Sequence, residues 1–374
     1  MTRSSLMSLL VAFSLLNSVN AETLRNAPPP SNLTEIETKA ARGFVKQELE
    51  LAAAYFSGKG VAKDLAQSAY WYREAADQGD PAAQVYLGYL YYAGLGVPQD
   101  TAEAIRWYRR AAAANSPLAE VNLAAHYMHG DGVKQDTAEA LRLLTSASEK
   151  GYGRADAYLG WASYTGLGVP VDHAAAESWF KRGVKRHDPE AECFLAAWDA
   201  NEPGHVPNIA FEAKLLRLSA ATGYVQAIHG LGILLVNHPE LPQASGEAIG
   251  LLESSANAGY WQSSAALGIL ARGGRLMPQD ERASYRWLQI AKLQGGSPAE
   301  TYVHHQLQRL AASLGDTSSL NLEAAAWLQE HPNRDLFVFA DQMNANYFPI
   351  QEVYATAHAP SVDNEVGSQP EEPD

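Results

Sequence analysis

The stretch Leu87-Gly88-Tyr89-Leu90-Tyr91-Tyr92-Ala93-Gly94-Leu95-Gly96-Val97-Pro98-Gln99-Asp100 decides the fold, because its pattern returns along the chain every 36 residues. One column reads Leu51, Leu87, Leu123, Leu159, Leu195, Leu231, Leu267, and the column after it holds only small residues, Ala52, Gly88, Ala124, Gly160, Ala196, Gly232, Gly268. A third carries bulk: Trp71, Trp107, Leu143, Trp179, Leu215, Leu251, Trp287. A fourth closes each unit: Gly79, Asn115, Gly151, His187, Gly223, Gly259, Gly295. Seven units in one register are the signature of a repeat array.

Each unit reads as two helices. Ala83, Leu87, Leu90 and Tyr91 line one face of the first. The turn Gly94-Leu95-Gly96-Val97 follows, and its glycines admit left-handed backbone. An Asp then caps the second helix at Asp64, Asp100, Asp136, Asp172 and Asp280, with Asn208 in the same column. Gln67, Glu103 and Glu139 complete a capping-box pattern, a cap contributing about 1 kcal/mol. Asp80-Pro81, Ser116-Pro117 and Asp188-Pro189 restart the next unit with proline where a helix tolerates it. The small column lets a neighbouring helix approach closely, and the Trp/Leu column is expected to fill the space beside it. A lone pair of helices cannot cover its apolar face, so the pairs must stack. The prediction is an all-α, right-handed α/α superhelix.

The pattern Leu87-Gly88-x-Leu90-Tyr91-x-x-Gly94-x-Gly96-Val97-x-x-Asp100, followed by Ala104, Trp107-Tyr108 and Ala111-Ala112, resembles the Sel-one-like repeat, a relative of the tetratricopeptide repeat. The resemblance covers residues 44–300 and implies a curved scaffold for other proteins, often exported in bacteria. Two units keep the length but lose the glycine turn, at Asn201-Glu202-Pro203-Gly204-His205-Val206-Pro207 and Asn237-His238-Pro239-Glu240-Leu241-Pro242. These read as stiffer loops, by drift or by adaptation to a partner.

Outside the array, residues 1–21 have a basic start at Arg3, an apolar core from Leu6 to Leu16 and small residues before Glu22, as a secretory signal does. The apolar run is short for a bilayer span. No cysteine follows the cleavage position to carry a lipid, so the expected location is periplasmic or secreted. Residues 22–43 read as a linker with Pro28–Pro30 and the start of the array, 301–355 as degenerate capping helices, and 356–374 as a disordered acidic tail. A net charge of −14 argues against nucleic acid, whose phosphates would be repelled. The lone Cys193 excludes an intramolecular disulfide and a cysteine zinc site.

Candidate chemistry is thin. Ser178 and Lys181 have the Ser-x-x-Lys spacing of serine β-lactamases, but the companion motifs are missing and Lys181 shares a column with Arg73, Arg109 and Arg217. His126, His129 and Asp131 could form a metal pair, without an identifiable third strong ligand. The Gly-x-Gly turns lack the third glycine of a dinucleotide fingerprint. No enzyme, cofactor or metal is expected.

Opposite the Leu column, the first helices present Leu49, Ala53 and Phe56; Val85, Tyr89 and Tyr92; Val121, Ala125 and Met128; Ala157, Trp161 and Tyr164. By the Leu-Gly-x-x-Tyr anchor these match the concave groove of tetratricopeptide arrays. Phe56, Tyr89, Tyr92, Met128, Trp161 and Tyr164 are therefore the candidate contacts for a protein or peptide, being residue types that anchor partners. Two alternatives remain open: the stripe is core between neighbouring first helices, or it stacks on sugar rings in a cell-envelope carbohydrate-binding protein.

Overall fold

The computed structural model describes residues 33–241 and 244–331, and these form helices joined by turns, with no strand among them. Helix α1 (Leu33–Ala40) leads into seven pairs. They are α2 (Val45–Ser57) with α3 (Leu65–Asp77), α4 (Pro81–Ala93) with α5 (Thr101–Ala113), and α6 (Pro117–His129) with α7 (Thr137–Glu149). Next come α8 (Gly153–Thr165) with α9 (His173–Lys185), α10 (Pro189–Asn201) with α11 (Ile209–Ala221), and α12 (Val225–Asn237) with α13 (Ala244–Asn257). The seventh pair is α14 (Trp261–Gly273) with the first arm of α15 (Glu281–Leu314), and α16 (Ser318–Glu330) follows. Every helix packs on its neighbours in sequence, as in an α/α solenoid. The expected signal, the Pro28–Pro30 stretch of the linker, the end of the expected capping segment beyond residue 331 and the acidic tail lie outside the described residues.

The capping column performs as its residues dictate. Asp100 and Asp136 each accept the backbone N–H three residues on, at 2.9 and 3.0 Å, and Asp64, Asp172, Asn208 and Asp280 do the same. The amide of the capping Asp returns to the first helix: Asp100 N–H donates to Tyr91 O at 2.8 Å, and the same bond recurs at Asp64, Asp136, Asp172 and Asp280. In the fifth unit, where the glycine turn is replaced, this bond changes chemistry. Asn208 N–H donates to the Asp199 side chain at 2.7 Å, and His205 Nε2 lies 2.9 Å from the other Asp199 oxygen. A buried carboxylate thus replaces a backbone carbonyl and holds the altered loop, which has the same length, in register.

The small column is explained by a partner other than the one expected. A Cβ on Gly88 would lie 2.7 Å from the Tyr108 ring, and one on Gly160 would lie 2.6 Å from Phe180. Gly232 and Gly268 meet Leu252 and Leu288 in the same way. The space is filled by the residue after the Trp/Leu column, on the second helix of the same unit. Tyr72, Tyr108, Leu144, Phe180, Leu216, Leu252 and Leu288 are all fully buried there.

The register also runs further than the sequence reading placed it. Gly296 breaks α15 with φ 58° and ψ −140°, and Pro298 sits just beyond the break. The second arm then puts a fully buried Val303 in the Leu column, and Asp316 accepts from Ser318 N–H at 2.9 Å in the capping column. This second arm and α16 make an eighth, divergent unit, where capping helices were expected.

At six of the seven closing positions the backbone is left-handed whatever the residue, with φ 93° at Gly79, 71° at Asn115, 57° at His187 and 85° at Gly223, the exception being Gly295, where Gly296 takes the positive φ instead. A histidine there carries a Cβ clash of about 1–2 kcal/mol that glycine lacks. His187 is exposed, so its side chain contributes little packing in return. His187→Gly is expected to raise stability by about 1 kcal/mol, and Gly223→His to lower it by a similar amount, both read from chemical denaturation midpoints.

Candidate functional site

The six candidate contacts do not form one open face. Tyr89, Tyr92 and Met128 are buried between units, at 3, 3 and 5 % exposure. They pack into the cores shared with the second helices, so at these positions the stripe is inter-repeat core. Phe56, Trp161 and Tyr164 remain half-buried. Trp161 and Tyr164 stack with ring centroids 6.1 Å apart, and Tyr164 lies 4.8 Å from the His173 ring. The surviving aromatic surface is thus divided between the first unit and the fourth.

The histidines have structural surroundings. His126 is fully buried against Tyr92 and Tyr108, with Nδ1 3.0 Å from the Asp131 carbonyl oxygen. Burial pushes both His126 and His129 down to about 4, so both are neutral at pH 7. Among the described residues no group of three or more His, Cys, Asp or Glu is placed to hold a metal ion. Ser178 is exposed, and Lys181 pairs with Glu177 at 2.5 Å on the same helix.

A cleft of about 290 Å³ opens between the second and third units. Arg109, Ala112 and Ala113 of α5 form one wall, Glu120, Leu123 and Tyr127 of α6 the floor, and Glu139, Arg142 and Leu143 of α7 the other wall. Arg142 is held by Glu139 at 2.7 Å, and Glu120 by Lys150 at 2.9 Å. Arg109 donates to the Tyr127 hydroxyl at 3.1 Å and has no carboxylate partner among the described residues.

A further column, absent from the sequence reading, runs through the interior: Glu48, Gln84, Glu120, Asp156, Glu192, Ile228, Ser264. All but Ile228 are buried polar groups. Four are held by a residue 30 positions later, at the end of the same unit's second helix. Gln78 donates to Glu48 at 2.8 Å, Lys150 to Glu120 at 2.9 Å and Arg186 to Asp156 at 2.5 Å, while Ser264 donates to Gln294 at 2.6 Å. Each clamp ties the start of a unit to its end. The signal was a polar residue inside an apolar helix face, repeated at the period with its partner at a fixed offset.

The fifth unit breaks the rule. The residue facing Glu192 along this offset is Thr222, whose hydroxyl donates to Ser219 O instead. Glu192 is 5 % exposed, and its side chain has no hydrogen bond or ion pair among the described residues. Beside it, Arg154 of α8 pairs with Glu190 of α10 at 2.9 Å, across two units whose first helices touch directly. The Tyr158 and Tyr224 hydroxyls each donate to Glu190 at 3.3 Å. Burial raises Glu190 to about 7 despite the Arg154 charge, and Asp188 adds repulsion. Glu192 is raised to about 7 as well, by burial and then by Asp188. A carboxyl raised in the folded chain above its ordinary value of 4.5 stabilises fully below that value, and the contribution is lost as pH rises through 7. Glu192→Gln, which stays neutral, is therefore expected to melt with the native chain at pH 4.5 and above it at pH 8. A gain of about 1 kcal/mol there corresponds to roughly 2–4 °C. Equal melting shifts at both pH values would remove the titration account.

The family model described as Sel1 repeat matches residues 48–80, 81–116, 117–152, 153–188 and 261–296. The unmatched interval, 189–260, holds the two units whose glycine turn is replaced. Among solved structures, c5321, a protective antigen present in uropathogenic Escherichia coli strains and displaying an SLR fold, is 24% identical with a TM-score of 0.51. That alignment covers 91% of this chain and 76% of the antigen. A Sel1 repeat protein from Oxalobacter formigenes is 27% identical with a TM-score of 0.51, covering 66% of this chain and 96% of its own. No curated protein matches the chain. The chain thus carries Sel1 repeats in five matched segments, and the two units between them continue in the same 36-residue register.

Proposed function

We propose that the chain is an exported scaffold that holds a protein or peptide along the first-helix face of its array and performs no chemistry itself. Sel1 repeat arrays are generally scaffolds for protein–protein interaction. The observation that carries the reading to particular residues is the Trp161–Tyr164 stack on α8. It keeps two large aromatic rings half-exposed at positions where the second and third units bury their equivalents. Large aromatics that stay partly open anchor partners through area and rigidity. Phe56 offers a second, smaller anchor in the first unit.

Export rests on the N-terminal pattern of Arg3, the apolar Leu6–Leu16 and the small residues before Glu22. Among the described residues no helix is long and apolar enough to cross a membrane. Several ionisable groups inside the array are committed to it: His126 and His129 are neutral in the core, and Glu120 and Asp156 are clamped by Lys150 and Arg186.

A photo-crosslinking residue at position 161 or 164, in cells expressing the full chain, is expected to trap a discrete protein. A crosslinker at exposed Leu218 on α11 should not trap that protein. Trp161→Ala with Tyr164→Ala should abolish the interaction of the native partner while the melting transition stays cooperative. Capture that survives the double substitution, or an N-terminus of the purified protein that still begins at Met1, would contradict the corresponding half of the reading.

A further inference from the structure

The cleft between the second and third units has a cause that can be read from its neighbours in the array. Its wall residue Leu143 stands in the column that holds Trp107 one unit earlier and Trp179 one unit later. In the second unit Trp107 is buried, and the Arg110 guanidinium lies 4.5 Å from its ring centroid, covering the indole. In the fourth unit Arg182 covers Trp179 at 4.6 Å in the same manner. The third unit has lost both members of this pair. Leu143 replaces the indole, and Ser146 replaces the covering arginine and turns inward to Glu120 at 2.8 Å. The rest of the frame is kept: Arg109 with Tyr127 repeats Arg73 with Tyr91, and Glu139 with Arg142 repeats Glu103 with Arg106. The cleft is an indole site without its indole and without its lid.

We propose that this cleft binds a tryptophan side chain of a polypeptide partner, one that carries a carboxylate on the next residue. The shape argument comes from the array, which places an indole at this position in the units on both sides. The volume, about 290 Å³, is at the lower end of the range for small-molecule pockets and accommodates a bicyclic ring. The floor and walls supply apolar contact through Leu123, Leu143, Ala112 and Ala113. The charge argument comes from the rim. Arg142 and Lys150 are matched by Glu139 and Glu120, whereas Arg109 is exposed and bonded to a neutral hydroxyl. A carboxylate beside the bound ring completes Arg109 and uses the planar guanidinium fork that arginine presents. No residue lining the cleft belongs to the Phe56, Trp161 and Tyr164 set, so this site stands apart from the first-helix face.

The test titrates the full chain with the peptide acetyl-Gly-Trp-Asp-Gly-amide, followed by ligand-observed NMR so that the protein's own tryptophans do not interfere. Saturable binding is expected, with the Trp→Leu peptide at background and the Asp→Asn peptide weaker by about fivefold. Leu143→Trp fills the cleft with the residue its neighbouring units carry and should abolish binding without loss of helicity. If that variant fails to fold, Ser146→Arg restores the lid and reads the same occupancy. Arg109→Gln, on the exposed rim, should remove the preference for Asp over Asn while leaving the Trp requirement. Equal binding of the Trp and Leu peptides, or undiminished binding to a folded Leu143→Trp chain, would overturn the proposal. Loss of this site with crosslinking from position 161 intact would leave the scaffold reading standing.

Discussion

The structure depends on one requirement: the two helices of each unit must come close enough to seal, and each unit must then seal the next. Where the first helix carries glycine, a single added carbon would strike Tyr108, Phe180, Leu252 or Leu288. Those side chains are in turn the floor on which neighbouring units rest. Stability in such an array is a sum of near-neighbour terms with no central core to average over defects. This is why loop chemistry can change at 201–207 while spacing does not. Asp199 takes over the bond of a backbone carbonyl, and the capping residue Asn208 stays in place.

The same constraint explains where polar groups are allowed. A buried carboxylate left alone is costly, and one paired across a unit is tolerable. Glu48, Glu120 and Asp156 satisfy that rule with partners at the far end of their own unit. Glu192 departs from the rule in the unit that also departs in its turn, so the altered fifth unit is distinguished inside as well as at its surface.

Much of this was legible in the sequence. The Leu, small and Asp columns placed the helices, their caps and the repeat family directly, because each column answers to a local steric or hydrogen-bonding need. Three things were not. The filler opposite Gly88 is Tyr108, one position beyond the column that drew attention, because helix phase and not size decides which residue faces the gap. The burial of Tyr89, Tyr92 and Met128 depends on how tightly successive first helices approach, which no single unit encodes. The last helix pair was expected as a cap, but its register was not read, because Val303 and Asp316 keep the columns while Leu310 and Ala312 replace the turn glycines. The inner-face residues were legible as a stripe, but their division into sealed and half-open positions belongs to the stacking.

The Arg154–Glu190 pair differs in kind from the clamps. Its partners are 36 residues apart and lie in different units, joining α8 to α10, with hydroxyls from Tyr158 and Tyr224 gathered on the same carboxylate. A clamp contained in one unit travels with that unit if the gene duplicates, shrinks or is recombined. A bond between units does not: moving the fourth unit elsewhere would bury an arginine against the wrong neighbour. That joint gives a periodic chain a fixed address in its interior, so the units on either side can be reordered or lost only at the ends.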